Sequence, residues 1–218
     1  MINWSLIISK LPLFWQGLNL SLAIACLSCL IGLIVGIPFG IILTSRLPLR
    51  YPVSAYVLVV RGTPMLIQIF FFMYGLPHLG IRLAPFWYAV LAIGFNSAAY
   101  VSQIVRSGIQ AIQKGQTEAA HVLGLSRIQA MFYIILPQAL RITFPAFGNE
   151  FVNLIKDSSL ASTIGVMELT RTGQIAISSS YDALTIYAGI GICYLVVTSS
   201  LTILLHLIEK RMNLYVKN

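Results

Sequence analysis

Charge is the scarcest commodity in this chain. Asp, Glu, Lys and Arg make up 9% of its 218 residues, against 58% hydrophobic. A soluble domain carries roughly a quarter charged residues, so the composition excludes a water-soluble fold and requires an integral membrane protein. No GxxxxGKS or GxxxxGKT run is present, which rules out ATP hydrolysis on a P-loop of its own. The three cysteines, Cys26, Cys29 and Cys193, all lie in apolar runs. Cys26 and Cys29 form a CxxC, but inside a lipid-facing helix it makes neither a redox pair nor a zinc site. His78, His121 and His206 stand apart from one another. With no Ser/His/Asp set and no catalytic carboxylate pair, the chain is not expected to be an enzyme or to hold a metal or cofactor. Lys10 alone precedes the first apolar run, which is too long for a cleaved signal segment.

What is present is a series of apolar runs. A helix needs about 20 apolar residues to cross the hydrocarbon core. Leu18 to Leu43, Val53 to Leu76, Phe86 to Val105 and Ile186 to Leu207 each meet that length. Allowing for their ends, the spans are expected over residues 14–45, 53–76, 86–108 and 184–208. The net charge of +8 is a topology signal, not a nucleic-acid footprint, because of where it lies. Arg46 and Arg50 follow the first span. Arg106, Lys114, Arg127 and Arg141 follow the third, and Lys210, Arg211 and Lys217 follow the last. Positive loops are cytoplasmic, so the chain starts outside and ends inside.

That orientation needs an odd number of crossings. The missing one falls between Arg141 and Asp182, at residues 142–157, where hydropathy alone would overlook it. This segment carries Thr143, Asn149, Glu150, Asn153, Lys156 and Asp157. A stretch so polar crosses a bilayer only against protein or a watery cavity, so it is the expected lining of a transport path. Residues 158–183, rich in Ser, Thr and Gly, are expected to return along the outer surface as a gate segment and a short amphipathic helix. The whole of residues 1–218 is read as one all-α membrane domain.

Side-chain periodicity places polar groups on shared faces. Glu150, Asn153 and Asp157 share one face of a helix, with Thr143 in line. Asn96, Tyr100 and Gln103 form a second stripe, and Arg61, Met65, Gln68 and Phe72 a third. Gln68 lies about 22 Å from the cytoplasmic start of its span, Asp157 about the same from Ile142, and Asn96 about 15 Å below its outer start. The three are expected to meet in the outer half of the bilayer, with Glu150 about 10 Å deeper. The alternative for Gln68 and Asn96 is bonding to neighbouring backbone. For Glu150 it is an internal partner such as Lys156 or Arg61. Arg61, next to Gly62 and Pro64, is assigned to structure or gating. Gly32, Gly36 and Gly40 recur every four residues, a face for close packing against a neighbouring span. Pro38 within it is expected to kink the helix. Trp15, Tyr51, Trp87 and Tyr181 fit interfacial belts.

Residues 113–140 are a polar, glycine-broken cytoplasmic loop. Thr117 is expected to cap a short helix whose Ala119 and Ala120 permit close approach. Gly124 ends it in a left-handed conformation. A second amphipathic segment runs from Ile128 to Ile135, and Pro137 breaks it.

Glu118-Ala119-Ala120, Gly124 and Leu136-Pro137 resemble, in sequence and spacing, the EAA loop of ABC importer permeases. With Arg61-Gly62-Thr63-Pro64, Asn96-Ser97-Ala98-Ala99-Tyr100 and Lys156-Asp157-Ser158-Ser159-Leu160, nearly the whole chain resembles permeases of polar amino acid ABC importers of the histidine/glutamine/arginine type. The resemblance implies a five-helix type I fold and a pair of permeases, two copies or two homologues. It implies two cytoplasmic ATP-binding subunits that hold the ATP and Mg, and a periplasmic or lipid-anchored solute-binding protein. It also implies a bacterial inner membrane. Glu118, Ala119, Ala120 and Gly124 would dock on the ATPase; Gln116 departs from the tryptophan of many relatives. Asn96, Glu150 and Asp157 match positions that look like solute contacts in arginine-type members, and Gln68 and Asn153 are grouped with them as substrate-binding. Glu150 tilts the expected solute towards a basic amino acid such as arginine over glutamine or cystine. The competing reading is an ion- or proton-coupled transporter or channel using Glu150 or Asp157. It leaves the loop unexplained and lacks an inverted second half.

Overall fold

The side chain of Asn3 accepts a hydrogen bond from the Leu6 amide (3.2 Å) and so starts the first helix. This helix, α1 (Trp4–Thr44), runs 41 residues through both Pro12 and Pro38 without interruption. It begins ten residues ahead of the expected span, because the Asn3 cap precedes the apolar run and nothing between breaks the helix. At about 60 Å it is twice the hydrocarbon thickness, so it extends beyond the bilayer. A computed structural model describes residues 2–214, with side chains through Arg211; Lys217 lies outside the described residues.

The segment expected as the second span is not one straight helix. It divides into α2 (Arg50–Arg61) and α3 (Met65–His78), bent by 108°. Arg61 therefore does not share a helix face with Met65, Gln68 and Phe72, and counting depth along a single axis misplaces Gln68. Pro64 forces the break: it lacks an N–H and pushes Thr63 out of helical conformation. The carbonyls freed by the break must be satisfied within the protein. The Thr63 hydroxyl donates to the Val59 carbonyl (3.0 Å), and the Gln68 amide donates to those of Val60 (2.7 Å) and Thr63 (3.1 Å).

Helix α4 (Pro85–Ala111) is the hub, packed against α1, α2 and α3. The small-residue stripe of α1 is the reason α1 and α4 lie so close. A Cβ built at Gly36 would lie 2.6 Å from Val101 Cβ, and one at Gly40 would lie 2.5 Å from Val105 Cβ. At Gly32 it would meet Ser97 Oγ at 2.6 Å. The stripe thus serves intrachain packing, as expected.

Two short helices follow, α5 (Lys114–Val122) and α6 (Arg127–Ala130). Thr117 is not the cap: the chain leaves α4 in extended conformation at Ile112 and Gln113, so α5 starts at Lys114 and Thr117 falls inside it. The cap belongs to Ser126, whose hydroxyl accepts from the Gln129 amide while Gln129 Oε1 accepts from the Ser126 amide. Nor does Pro137 end a helix. A π turn (Met131–Ile135) precedes it, with the Leu136 amide bonded to the Met131 carbonyl. The widened turn makes room for the proline ring, and helix continues as α7 (Leu136–Asp157) and a 3-10 run (Ser158–Ile164).

The continuous helical run Arg127–Ile164 is long and apolar enough to cross. Hydropathy does register this crossing, contrary to expectation, because the helix extends well beyond 142–157. With α1, α4 and α9 (Ala183–Leu214), four helical runs are long and apolar enough to cross, and the bent pair makes a fifth where it serves as one broken span.

Helix α8 (Leu169–Ser180) does not lie loosely on a surface. It inserts between α1 and α9, where Thr172 and Leu169 meet Gly17, and Ile190 meets Gly173. Its cap, Glu168, is wholly buried. The carboxylate accepts from the amides of Thr170 (2.9 Å) and Arg171 (2.7 Å), Tyr194 Oη (3.0 Å) and Ser21 Oγ (3.3 Å). One side chain so ties α8 to α1 and α9. Glu168→Ala is expected to cost about 2 kcal/mol, the sum of a lost cap and orphaned buried donors. Thermal unfolding of the detergent-solubilised protein reads this; an unchanged midpoint would show that the carboxylate holds nothing. Trp15, Tyr51, Trp87 and Tyr181 are exposed, as aromatic belts require.

Candidate functional site: a polar cavity and an exposed helical knob

The turn at Gly62–Pro64 brings the start of α3 against the middle of α4 and the end of α7. A cavity of about 490 Å³ opens between them. Its polar lining comes from Thr63 at the turn, Asn96 and Tyr100 on α4, and Glu150, Asn153, Lys156 and Asp157 on α7. Pro64 and Met65 close the remaining side. The polar faces expected on α4 and α7 therefore do meet, and two carboxylates face one ammonium. Among the described residues no Lys or Arg nitrogen lies within 4.0 Å of a carboxylate oxygen, so neither Glu150 nor Asp157 is in direct contact with Lys156 or Arg61. Glu150 Oε1 accepts a hydrogen bond from Ser97 Oγ (2.9 Å). Periodicity does not point to Ser97, because its place one residue after Asn96 takes it off the Asn96–Tyr100 stripe.

Gln68 is buried behind this wall and does not line the cavity. Its amide nitrogen holds the helix break, and its carbonyl oxygen accepts from Asn96 Nδ2 (3.1 Å). Gln68 thus orients Asn96, which does line the cavity. Thr143 packs against Gly108 and donates to the Ala139 carbonyl (2.9 Å). The lower part of the α7 face is spent on helix contact, and only its upper part is free to line the cavity. Gln103 and Arg61 border a different cavity.

The second candidate region is the α5–α6 knob. Glu118 and Ala119 are exposed, while Ala120 is buried and seats the helix. Gly124 adopts φ +79°, the left-handed turn expected of it. Gln116 accepts a long hydrogen bond from Gln138 Nε2 (3.5 Å). Around the turn, Val122, Leu123 and Ile128 are 87%, 79% and 72% exposed. Three bare apolar side chains thus sit together on a polar loop. Their signal in the sequence is the Val122-Leu123 pair beside Gly124.

Residues 36–214 match the family described as binding-protein-dependent transport system inner membrane component. The chain belongs to this family. The permease is 38% identical over 215 residues to the glutamine transport system permease protein GlnP of Escherichia coli strain K12, covering 97% of this chain and 98% of that one. It is 37% identical over 213 residues to the arginine transport system permease protein ArtQ of Bacillus subtilis strain 168, covering 97% of each. A crystal structure of an amino acid ABC transporter with histidines superposes at a TM-score of 0.90, with 37% identity over 97% of this chain and 99% of that one. The permease accordingly has the type I ABC importer fold and is a permease subunit of an amino acid ABC transporter. None of these matches supports an ion- or proton-coupled transporter.

Proposed function

We propose that this permease imports a polar amino acid, a basic one such as arginine in preference to glutamine or cystine, by alternating access through the Glu150–Asp157 cavity. Asn96, Asn153, Glu150 and Asp157 contact the solute, and Gln68 sets the Asn96 amide. The chain starts outside and ends in the cytoplasm of a bacterial inner membrane. It works with a second permease, two cytoplasmic subunits that bind ATP and Mg, and an external solute-binding protein. ATP closes the nucleotide subunits, the α5–α6 knob carries that motion to the spans, and the cavity alternates its exposure.

The observation that carries this reading is the lining of the cavity: two carboxylates without an ion-pair partner, one ammonium and two amides. Its volume suits a small ligand. A carboxylate at membrane depth is expensive unless something compensates it, and a cationic solute would do so. A charge-assisted hydrogen bond contributes about 1.5–3 kcal/mol, or tenfold and upwards in affinity. Glu150→Gln should therefore lower arginine uptake about tenfold and glutamine uptake much less. Proteoliposomes holding the permease with its ATPase, supplied with its binding protein and labelled amino acids, give the measurement. Equal losses for both solutes would remove the charge argument. Uptake driven by a proton gradient without ATP would overturn the mechanism.

A further inference from the structure

A second cavity lies beside the first, and Tyr100 borders both. It occupies about 430 Å³ between α2 and α4. Its charge is opposite. Arg61, Arg106, Gln103 and Ser54 supply the polar lining, and no carboxylate takes part. The Arg61 guanidinium stacks over the Tyr100 ring at 5.0 Å from its centroid. Arg106 lies six residues further along α4, about 9 Å towards its C-terminal end. No acidic side chain pairs with either arginine among the described residues.

The helix break explains how Arg61 comes to be there. Arg61 is the last residue of α2, just before the chain turns by 108°. A cation is favoured at a helix C-terminus, and stacking on Tyr100 fixes the plane of its fork. Guanidinium groups bind carboxylates through paired hydrogen bonds. Two guanidiniums without an acidic partner, along a cavity otherwise lined in part by Val57 and Leu58, leave a place for an anion, next to a cavity suited to cations.

We propose that the Arg61–Arg106 cavity is a second station on the path, which binds the α-carboxylate of the amino acid once it has left the Glu150–Asp157 cavity. This rests on the reading that the first cavity carries an amino acid. The solute would then pass Tyr100 from a station that holds its cationic groups to one that holds its carboxylate. An anionic phospholipid headgroup offers similar oxyanions, so the test separates the two sources.

The test is equilibrium binding of labelled arginine to the whole permease–ATPase complex in nanodiscs, without nucleotide. In phosphatidylcholine discs the wild type is expected to bind two arginines per permease chain. The double variant Arg61→Gln/Arg106→Gln is expected to bind one, and Glu150→Gln should lose the other. Arginine methyl ester, which has no carboxylate, should fill the second site of the wild type about tenfold less tightly or worse. That arm does not depend on the folding of any variant. Equal stoichiometry in wild type and double variant would overturn the proposal, as would equal affinity for ester and free acid. If the double variant sheds phosphatidylglycerol from mixed discs but keeps both arginines, the cavity is a lipid site and the proposal fails. One arginine per chain, lost only in Glu150→Gln, overturns the second station and leaves the first standing. No arginine bound at all overturns both.

Discussion

Glu118→Lys is expected to abolish ATP-coupled uptake while the permease still folds in the membrane. Glu118 is exposed on α5, so the change removes no internal contact and costs little stability. Its proposed effect is on the partner. Ala120 is buried and anchors the helix, and beyond it Val122, Leu123 and Ile128 project into solvent. An apolar centre with a charged group at its edge is what the proposed docking role requires. Reversing a charge that meets a complementary surface leaves like charges facing each other, at a cost of several kcal/mol, so uptake should fall by about 100-fold or more. Uptake and ATP hydrolysis in proteoliposomes, alongside thermal unfolding of the permease alone, separate coupling from folding. Retained ATP-driven uptake would remove α5 from the coupling path. A lowered unfolding midpoint together with lost uptake would assign the residue to stability.

Gly36→Leu is expected to be strongly destabilising. A Cβ at this position would lie 2.6 Å from Val101 Cβ and 2.8 Å from the Ala98 carbonyl oxygen. The second of these is backbone of the hub helix and cannot turn aside. Helices α1 and α4 would have to separate, at about 3 kcal/mol or more, although leucine forms helix better than glycine. Gly191 on α9 is the control, because a Cβ there meets nothing within 4 Å. Gly36→Leu should lower the unfolding midpoint sharply and reduce the folded yield. Gly191→Leu should leave both near wild type. Similar behaviour of the pair would mean that close α1–α4 approach is not what the stripe provides.

Much of the site could be read in the chain because helical periodicity is fixed by geometry. Glu150, Asn153 and Asp157 share a face whatever the fold, and so do Asn96 and Tyr100. Their meeting in one cavity follows from two helices packing by those faces. The role of Gln68 could not be read, because it depends on the bend at Pro64. A straight crossing would aim its amide at the path; the break turns it onto the Val60 and Thr63 carbonyls. Glu168 escaped for a similar reason. In sequence it is an isolated acid near a loop, and only the insertion of α8 brings Ser21 and Tyr194 to it. Pro137 misled because proline breaks helices in general, while here a π turn accommodates it.

By itself the sequence determined the solvent this chain inhabits, its long apolar helices and the surfaces each helix offers. Those follow from local quantities: charge scarcity, run length, and the 3.6-residue period that sorts side chains into faces. Only the tertiary structure decided which faces touch, and with them the pairing of Ser97 with Glu150, the opposed charge of the two cavities at Tyr100, and the burial of Glu168. These contacts join residues far apart in the chain. Distances between such residues depend on crossing angles and breaks, which hydropathy and spacing do not encode.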